Sequence, residues 1–357
     1  MAMPAWAWLG PAIAAAVLGA ALAFPVGTLL AVACAVALVA AVISAVHHAE
    51  VVAHRVGEPF GTLVLAVAVT VIEASLILSL VLAGGEGSTS LPRDTIYATI
   101  MIIVNGVVGL SLVAGGLRHR NQTFRVESAG SGLAALVAMA TLSLVLPTFT
   151  TSAPSGIYSP PQLMFAAIAS LALWGVFVFM QTVRHRDYFL PAVGSANPEI
   201  HAEPPSYGHA WASFGLLVVS LVAVVGLAKV LSPTIERAIA AVNAPRAVIG
   251  IAIALLVLLP ETWAALRAAL ADRLQTSMNL AIGSALASIG LTIPVVAIAA
   301  VLMDIPLDLG LHAKDLVLLM LTFVVGAITL GTGRTNILQG AVHLVIFAAF
   351  LFLSLVP

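Results

Sequence analysis

Charge is scarce in this chain. Only 8% of its 357 residues are Asp, Glu, Lys or Arg, whereas a soluble domain carries about 25%. So few charges cannot cover a water-facing surface, which excludes a soluble globular protein. The net charge of −1 says nothing about partners, but no basic cluster suited to nucleic acid is present. One cysteine, Cys34, lies inside an apolar run and cannot form an internal disulfide. His-Glu-x-x-His, Gly-x-Ser-x-Gly and glycine-rich phosphate loops are missing, as is any pair of central aspartates within a span. Nothing here builds a catalytic nucleophile or base, so no enzyme and no cofactor is expected.

Apolar residues make up 61% of the chain. A bilayer span needs ~20 of them in succession. Eleven runs qualify, at about 5–24, 26–46, 60–83, 95–116, 130–147, 162–182, 210–231, 246–269, 276–302, 314–332 and 337–356. The pattern predicts an all-α polytopic membrane protein whose largest partner is the lipid bilayer. The opening stretch "MAMPAWAWLGPAIAAAVLGAALAF" lacks a basic n-region and runs into a second apolar segment, so a retained first span is expected.

The longest polar stretch, 184–209, separates five spans (26–183) from five more (210–357) and leaves 1–25 as an extra N-terminal helix. Five is odd, so the two groups enter the membrane from opposite sides. That is the inverted-repeat plan of many secondary transporters. Nine of the 14 basic residues fall on one side if the N-terminus is cytoplasmic. The bias predicts N-terminus in, C-terminus out, and a cytoplasmic 184–209 loop.

Two acids sit mid-span: Glu73 in "GEPFGTLVLAVAVTVIEASLILSL" and Glu261 in "VIGIAIALLVLLPETWAALRAAL". Each occupies the second span of its group of five. An acid at the bilayer centre costs roughly 2.5–3.5 kcal/mol on insertion scales, and is by default a functional residue. Oxygen-rich neighbours suit a hard cation. Thr70 and Ser75 flank Glu73. Pro260 precedes Glu261 and leaves the Leu256 carbonyl without its helical donor. The following spans carry Asn105 and Ser111 in one group, and Asn279, Ser284, Ser288 and Thr292 in the other. A carboxylate in low dielectric can be neutralised by a proton or by a bound cation. One site holding either is the basis of antiport. The expected cation and proton ligands are Glu73, Glu261, Asn105, Ser284, Asn279 and Thr70, with the two glutamates as the direct metal contacts.

Further polar residues are less committed. "HHAEVVAHRVGE" aligns His47, Glu50, His54 and Glu58 near one helical face. A solvated helix end lining a cytoplasmic mouth is the reading for Glu50, His54 and Glu58. His343 shares a face with Gln339 and Asn336, and an interhelical hydrogen bond is the simplest role for it. His201 and His209 read as solvated loop residues.

The two glutamate segments resemble the paired repeat motifs of the cation/Ca²⁺ exchanger superfamily, here at about 57–116 and 246–302. "AEVVAHRVGEPFGT", "RDTIYATIMII" and "TGRTNILQGAVHL" extend the likeness over about residues 30–357. The branch it is most similar to is the bacterial ChaA-type calcium/sodium/potassium–proton antiporters. The resemblance implies eleven helices, an inverted repeat, and export of Ca²⁺, Na⁺ or K⁺ against H⁺ across a bacterial inner membrane. It assigns cation and proton carriage to Glu73 and Glu261, and the small-polar motif to Asn105 and Gly283–Ser284. The alternatives are a sodium-coupled calcium exchanger or a passive cation channel. Two positions depart from the wider superfamily: Val71 and Ile72 stand where Gly-Asn is frequent, and Ala287 where glutamine is. Fewer side-chain oxygens favour monovalent transport. The long loop has only Asp187, Glu199 and Glu203, too few for acidic-loop regulation.

Overall fold

The computed structural model describes residues 4–57, 60–84, 88–189, 205–241 and 245–356. It is all-α apart from one tiny ribbon. Among the described residues eleven helical spans are long and apolar enough to cross a bilayer, so the chain is a multi-pass membrane protein of the expected class.

The residues fall into two compact units, 1–91 with 199–246, and 92–198 with 247–357. The first unit holds α1 (Ala5–Ala23), α2 (Thr28–Val56), α3 (Phe60–Ala83) and, from the second half of the chain, α9 (Tyr207–Ala241). Within it α2 is the central helix. It packs on α1, α3 and above all α9. Small residues line the close contacts. A methyl group at Gly10 would collide with the Ser44 hydroxyl, and one at Gly226 with Leu18.

The sequence-based end of the second span, at 46, falls short. The helix continues to Val56, because Ala49 and Ala53 keep a buried stripe going and no breaker intervenes. Gly57 closes it at φ +78°, a left-handed conformation that costs glycine nothing. His47, Glu50 and His54 are therefore helical residues.

The second unit holds α4 (Leu91–Met101) and α5 (Val108–His119), α6 (Val126–Ala140), α7 (Pro160–Phe179), the short α8 (Arg186–Phe189), α10 (Ala247–Leu270), α11 (Leu274–Met303), α12 (Ala313–Leu330) and α13 (Ile337–Leu355). The span Ser88–His119 joins α4 to α5 through a π-helical turn, Ile102–Val107. π-turns recur at functional sites because one extra residue loosens the hydrogen-bond ladder. Helix α11 is the core of this unit, packing on α5, α6, α7 and α10. A two-residue antiparallel ribbon, β1 (Gln122–Thr123) with β2 (Arg334–Thr335), ties the end of α5 to the start of α13.

An ion-pair lock closes one edge of this unit. Arg93 is buried; it donates to Asp94 Oδ1 (2.9 Å), Asp308 Oδ2 (2.7 Å) and the Gly310 carbonyl (3.1 Å). Three acceptors offset the cost of burying the guanidinium.

Candidate cation site

In the first unit, Glu73 stands ~20 Å along α3 at ~1.5 Å per residue. It is 3% exposed, and Thr70, one turn earlier on the same face, is 4% exposed. Ile72 and Ala74 beside it are buried and apolar. Glu73 thus sits between buried apolar chain neighbours, with a buried threonine one turn away on its own face.

The helical stripe near the end of α2 divides. His48 is fully buried and its Nε2–H donates to the Ala7 carbonyl at 2.9 Å. His47 packs against Trp6, ring centroids 4.7 Å apart. Both histidines therefore dock α1. Glu50 and His54 are exposed, and Glu58 lies outside the described residues. Arg55 was not singled out by sequence. Its guanidinium lies 3.6 Å from the Tyr207 ring centre and donates to the Pro205 carbonyl at 3.3 Å, joining the end of α2 to the start of α9.

In the second unit, Glu261 is half-buried on α10, which runs through Pro260 as one continuous helix. Pro260 has no N–H for the Leu256 carbonyl, and Thr262 spends its hydroxyl on the Leu258 carbonyl at 2.7 Å. On α11, Ser284 is half-buried, Ser288 and Thr292 are buried, and Gly283 has open space where a side chain would stand.

The two predicted asparagine ligands have other partners. Asn279 donates to the Phe189 carbonyl (2.7 Å) and accepts from Gln275 (2.8 Å). Gln275 also donates to Ser128 (2.7 Å) and accepts from the Arg125 amide (2.6 Å). Nearby, Gln122 donates to the Ala269 carbonyl and to Asp272, both at 2.9 Å, and His119 donates to the Leu270 carbonyl at 2.9 Å. These bonds fasten the α10–α11 turn to the ribbon. Asn279 belongs to that fastening, five residues into α11.

Asn105 lies on the π-turn and is fully buried. Its amide nitrogen donates to Thr322 Oγ1 (2.8 Å), and its Oδ1 faces His343 Nδ1 (3.0 Å). His343 Nε2 in turn meets Thr329 Oγ1 at 3.1 Å. The expected interhelical hydrogen bond of His343 is present. Its neighbours on that face take no part in it. Asn336 instead caps α13 through reciprocal bonds with Gln339, at 3.0 and 3.2 Å. Thr322 and Thr329 escaped the sequence reading. Their spacing of seven, two helical turns, was the available signal.

Among the described residues no cluster of three or more His, Cys, Asp or Glu gathers to hold a resident metal. Tyr158, outside the spans, donates to the Leu142 carbonyl at 2.7 Å, and burial pushes its hydroxyl up to about 12.

Comparison with known proteins follows the same line. Residues 23–183 and 212–356 match the family described as sodium/calcium exchanger protein. The chain is 48% identical to y4hA of Sinorhizobium fredii, which bears the name of an ionic transporter, over 99% of this chain and 97% of that one. It is 38% identical to the sodium-potassium/proton antiporter ChaA of Escherichia coli, over 86% of this chain and 84% of that one. The solved structure of native YfkE superposes with a TM-score of 0.73 at 17% identity, covering 99% of both chains, a likeness of fold.

Proposed function

The chain belongs to the sodium/calcium exchanger protein family, and on that premise we propose that it is a secondary-active cation/proton antiporter. Its relatives are named as transporters and not as enzymes. The observation that carries the reading is Glu73: a carboxylate 3% exposed in the middle of an apolar helix, with the Thr70 hydroxyl one turn away. Such a group is tolerated when a proton or a cation neutralises it. Glu261, half-buried beside Pro260 in the corresponding span of the second half, is its counterpart.

In one half-cycle Glu73 and Glu261 hold protons. In the other they hold cation, assisted by Thr70 and Ser284. Coupling follows because each occupant excludes the other. Asn105, on the π-turn that packs against α10, assists the two glutamates as well, and Asn279 supports the framework. The cargo is Na⁺ or K⁺ ahead of Ca²⁺: buried Ile72 and Ala287 offer no oxygen, and ChaA is named for sodium and potassium. Alternating access comes from α2 and α9, the opening spans of the two inverted repeats, which pack together more extensively than any other pair. The N-terminus is cytoplasmic, in a bacterial inner membrane.

The test is dissipation of a proton gradient in inside-out vesicles on adding Na⁺, K⁺ or Ca²⁺ separately. Wild type collapses the gradient with at least one cation. Glu73→Gln and Glu261→Gln, present at normal levels, do not. Exchange at the wild-type rate in either variant refutes the two-glutamate mechanism. Ca²⁺ movement driven by a Na⁺ gradient with the proton gradient unchanged identifies a sodium-coupled exchanger, and conduction without coupling identifies a channel.

A further inference from the structure

The chain Thr322–Asn105–His343–Thr329 takes one arrangement of hydrogens when Thr322 donates its proton to its own helix. Thr322 has a single hydroxyl proton, and two acceptors outside the chain lie in reach, the Leu318 carbonyl at 2.8 Å and Met101 Sδ at 3.4 Å, the carbonyl being the nearer and stronger. Its oxygen must then accept from Asn105, which places the Asn105 NH₂ at Thr322 and the Asn105 oxygen at His343. An amide oxygen only accepts, so His343 Nδ1 must carry hydrogen. In the neutral ring Nε2 is then an acceptor, and the Thr329 hydroxyl donates to it. Every polar atom of the imidazole is used, and all four residues are at most 2% exposed.

This bonding requires α5 and α13 to approach closely. Gly109 leaves room for the Cβ of His343: a methyl group there would stand 2.9 Å from it and 3.1 Å from the Gly340 carbonyl. Small residues at such a crossing let two backbones meet and a buried polar side chain reach across. The residue His343 grips lies on the π-turn Ile102–Val107, where one extra residue interrupts the regular helix ladder.

We propose that His343 is a positioning residue for cation exchange, acting through Asn105: its neutral Nδ1–H form holds the Asn105 amide and thereby fixes the π-turn Ile102–Val107 against α12 and α13. The role in exchange rests on the antiport reading above; the hydrogen placement does not.

Two measurements test it. The first is ¹⁵N NMR of histidine-labelled protein, with the His343 signals taken from the difference against His343→Asn. Wild type shows the Nδ1–H tautomer. An Nε2–H tautomer overturns the proposal, whether or not the protein transports anything. The second is cation exchange in proteoliposomes. In His343→Asn the side-chain NH₂ stands near the position of Nδ1 and still donates, whereas His343→Gln carries its NH₂ nearer Nε2 and His343→Ala has none. The asparagine variant keeps a cation KM within about twofold of wild type. Glutamine and alanine raise KM about tenfold, the scale of one lost buried hydrogen bond, while the maximal rate per folded molecule changes little. If all three lower only yield and maximal rate at constant KM, the residue is merely structural and the proposal fails. If alanine does not fold, the asparagine–glutamine contrast decides. A wild type that moves no cation sinks the antiport reading separately, and the tautomer still stands or falls on the NMR.

Discussion

A glycine-to-alanine substitution made at two helical positions should produce opposite effects in this protein. At Gly340 on α13, the new methyl group would lie 2.8 Å from the Val113 amide nitrogen, 2.8 Å from its Cγ2 and 2.9 Å from the Gly109 carbonyl oxygen. Two of these three atoms are backbone and cannot swing aside. Reaching ordinary contact requires α5 and α13 to part by ~0.6 Å, a gap that forfeits about a quarter of the dispersion attraction along the seam. Overpacking of this kind costs ~1–3 kcal/mol. Backbone on the receiving side places it near the upper end. Alanine returns ~1 kcal/mol of helix propensity, leaving a net loss of ~2 kcal/mol. At Gly175 on α7, nothing lies within 4 Å of the new methyl, so the propensity gain of up to ~1 kcal/mol stands alone. The two variants should differ by ~3 kcal/mol, or ~4 °C in midpoint for a chain of this size. Differential scanning fluorimetry of purified protein in one detergent reads the difference. Equal midpoints, or a Gly340→Ala protein as stable as wild type, would show that the α5–α13 seam is not the tight contact described.

Arg93→Leu should cost ~2–3 kcal/mol, below the ~3–5 typical of breaking a fully buried pair because Asp308 keeps 33% of its side chain exposed. Arg93→Lys should recover less than half of that loss, since an ammonium cannot reproduce the fork that reaches two carboxylates and a carbonyl; thermal midpoints of the three proteins check it. Asn279→Ala should lower stability by ~1 kcal/mol and leave the cation KM unchanged, whereas a tenfold higher KM would return Asn279 to the ligand set. Tyr158→Phe should remove an alkaline stability loss. The raised hydroxyl favours the folded state fully below its ordinary value of 10.0, and that contribution disappears as pH rises through about 12. A wild type and phenylalanine variant that lose stability in parallel across that window would contradict the burial of this hydroxyl.

Much of this protein could be read without a structure, because the bilayer imposes its rule residue by residue. A span needs an unbroken apolar run, so all eleven expected spans have their helix, with α2 and α9 each running ten residues past the expected end. The same rule makes Glu73 and Glu261 conspicuous, since each is an acid in the middle of an apolar run. Glu50 and His54, expected near the end of a span, lie exposed on α2. What stayed hidden is pairing. Which acceptor Asn105, Asn279 or His343 meets depends on residues 90 to 238 positions away, and no local pattern encodes that distance. Asn336, Gln339 and His343 share a helical face, yet two of them form a cap and the third crosses to another helix. The positions of Gly109 and Gly340 only acquire meaning where two backbones come within contact of each other. Hydrophobicity and charge are properties of single residues and determine the spans and the candidate carboxylates. Hydrogen bonds and close packing are properties of pairs, and only the tertiary fold decides which pairs exist.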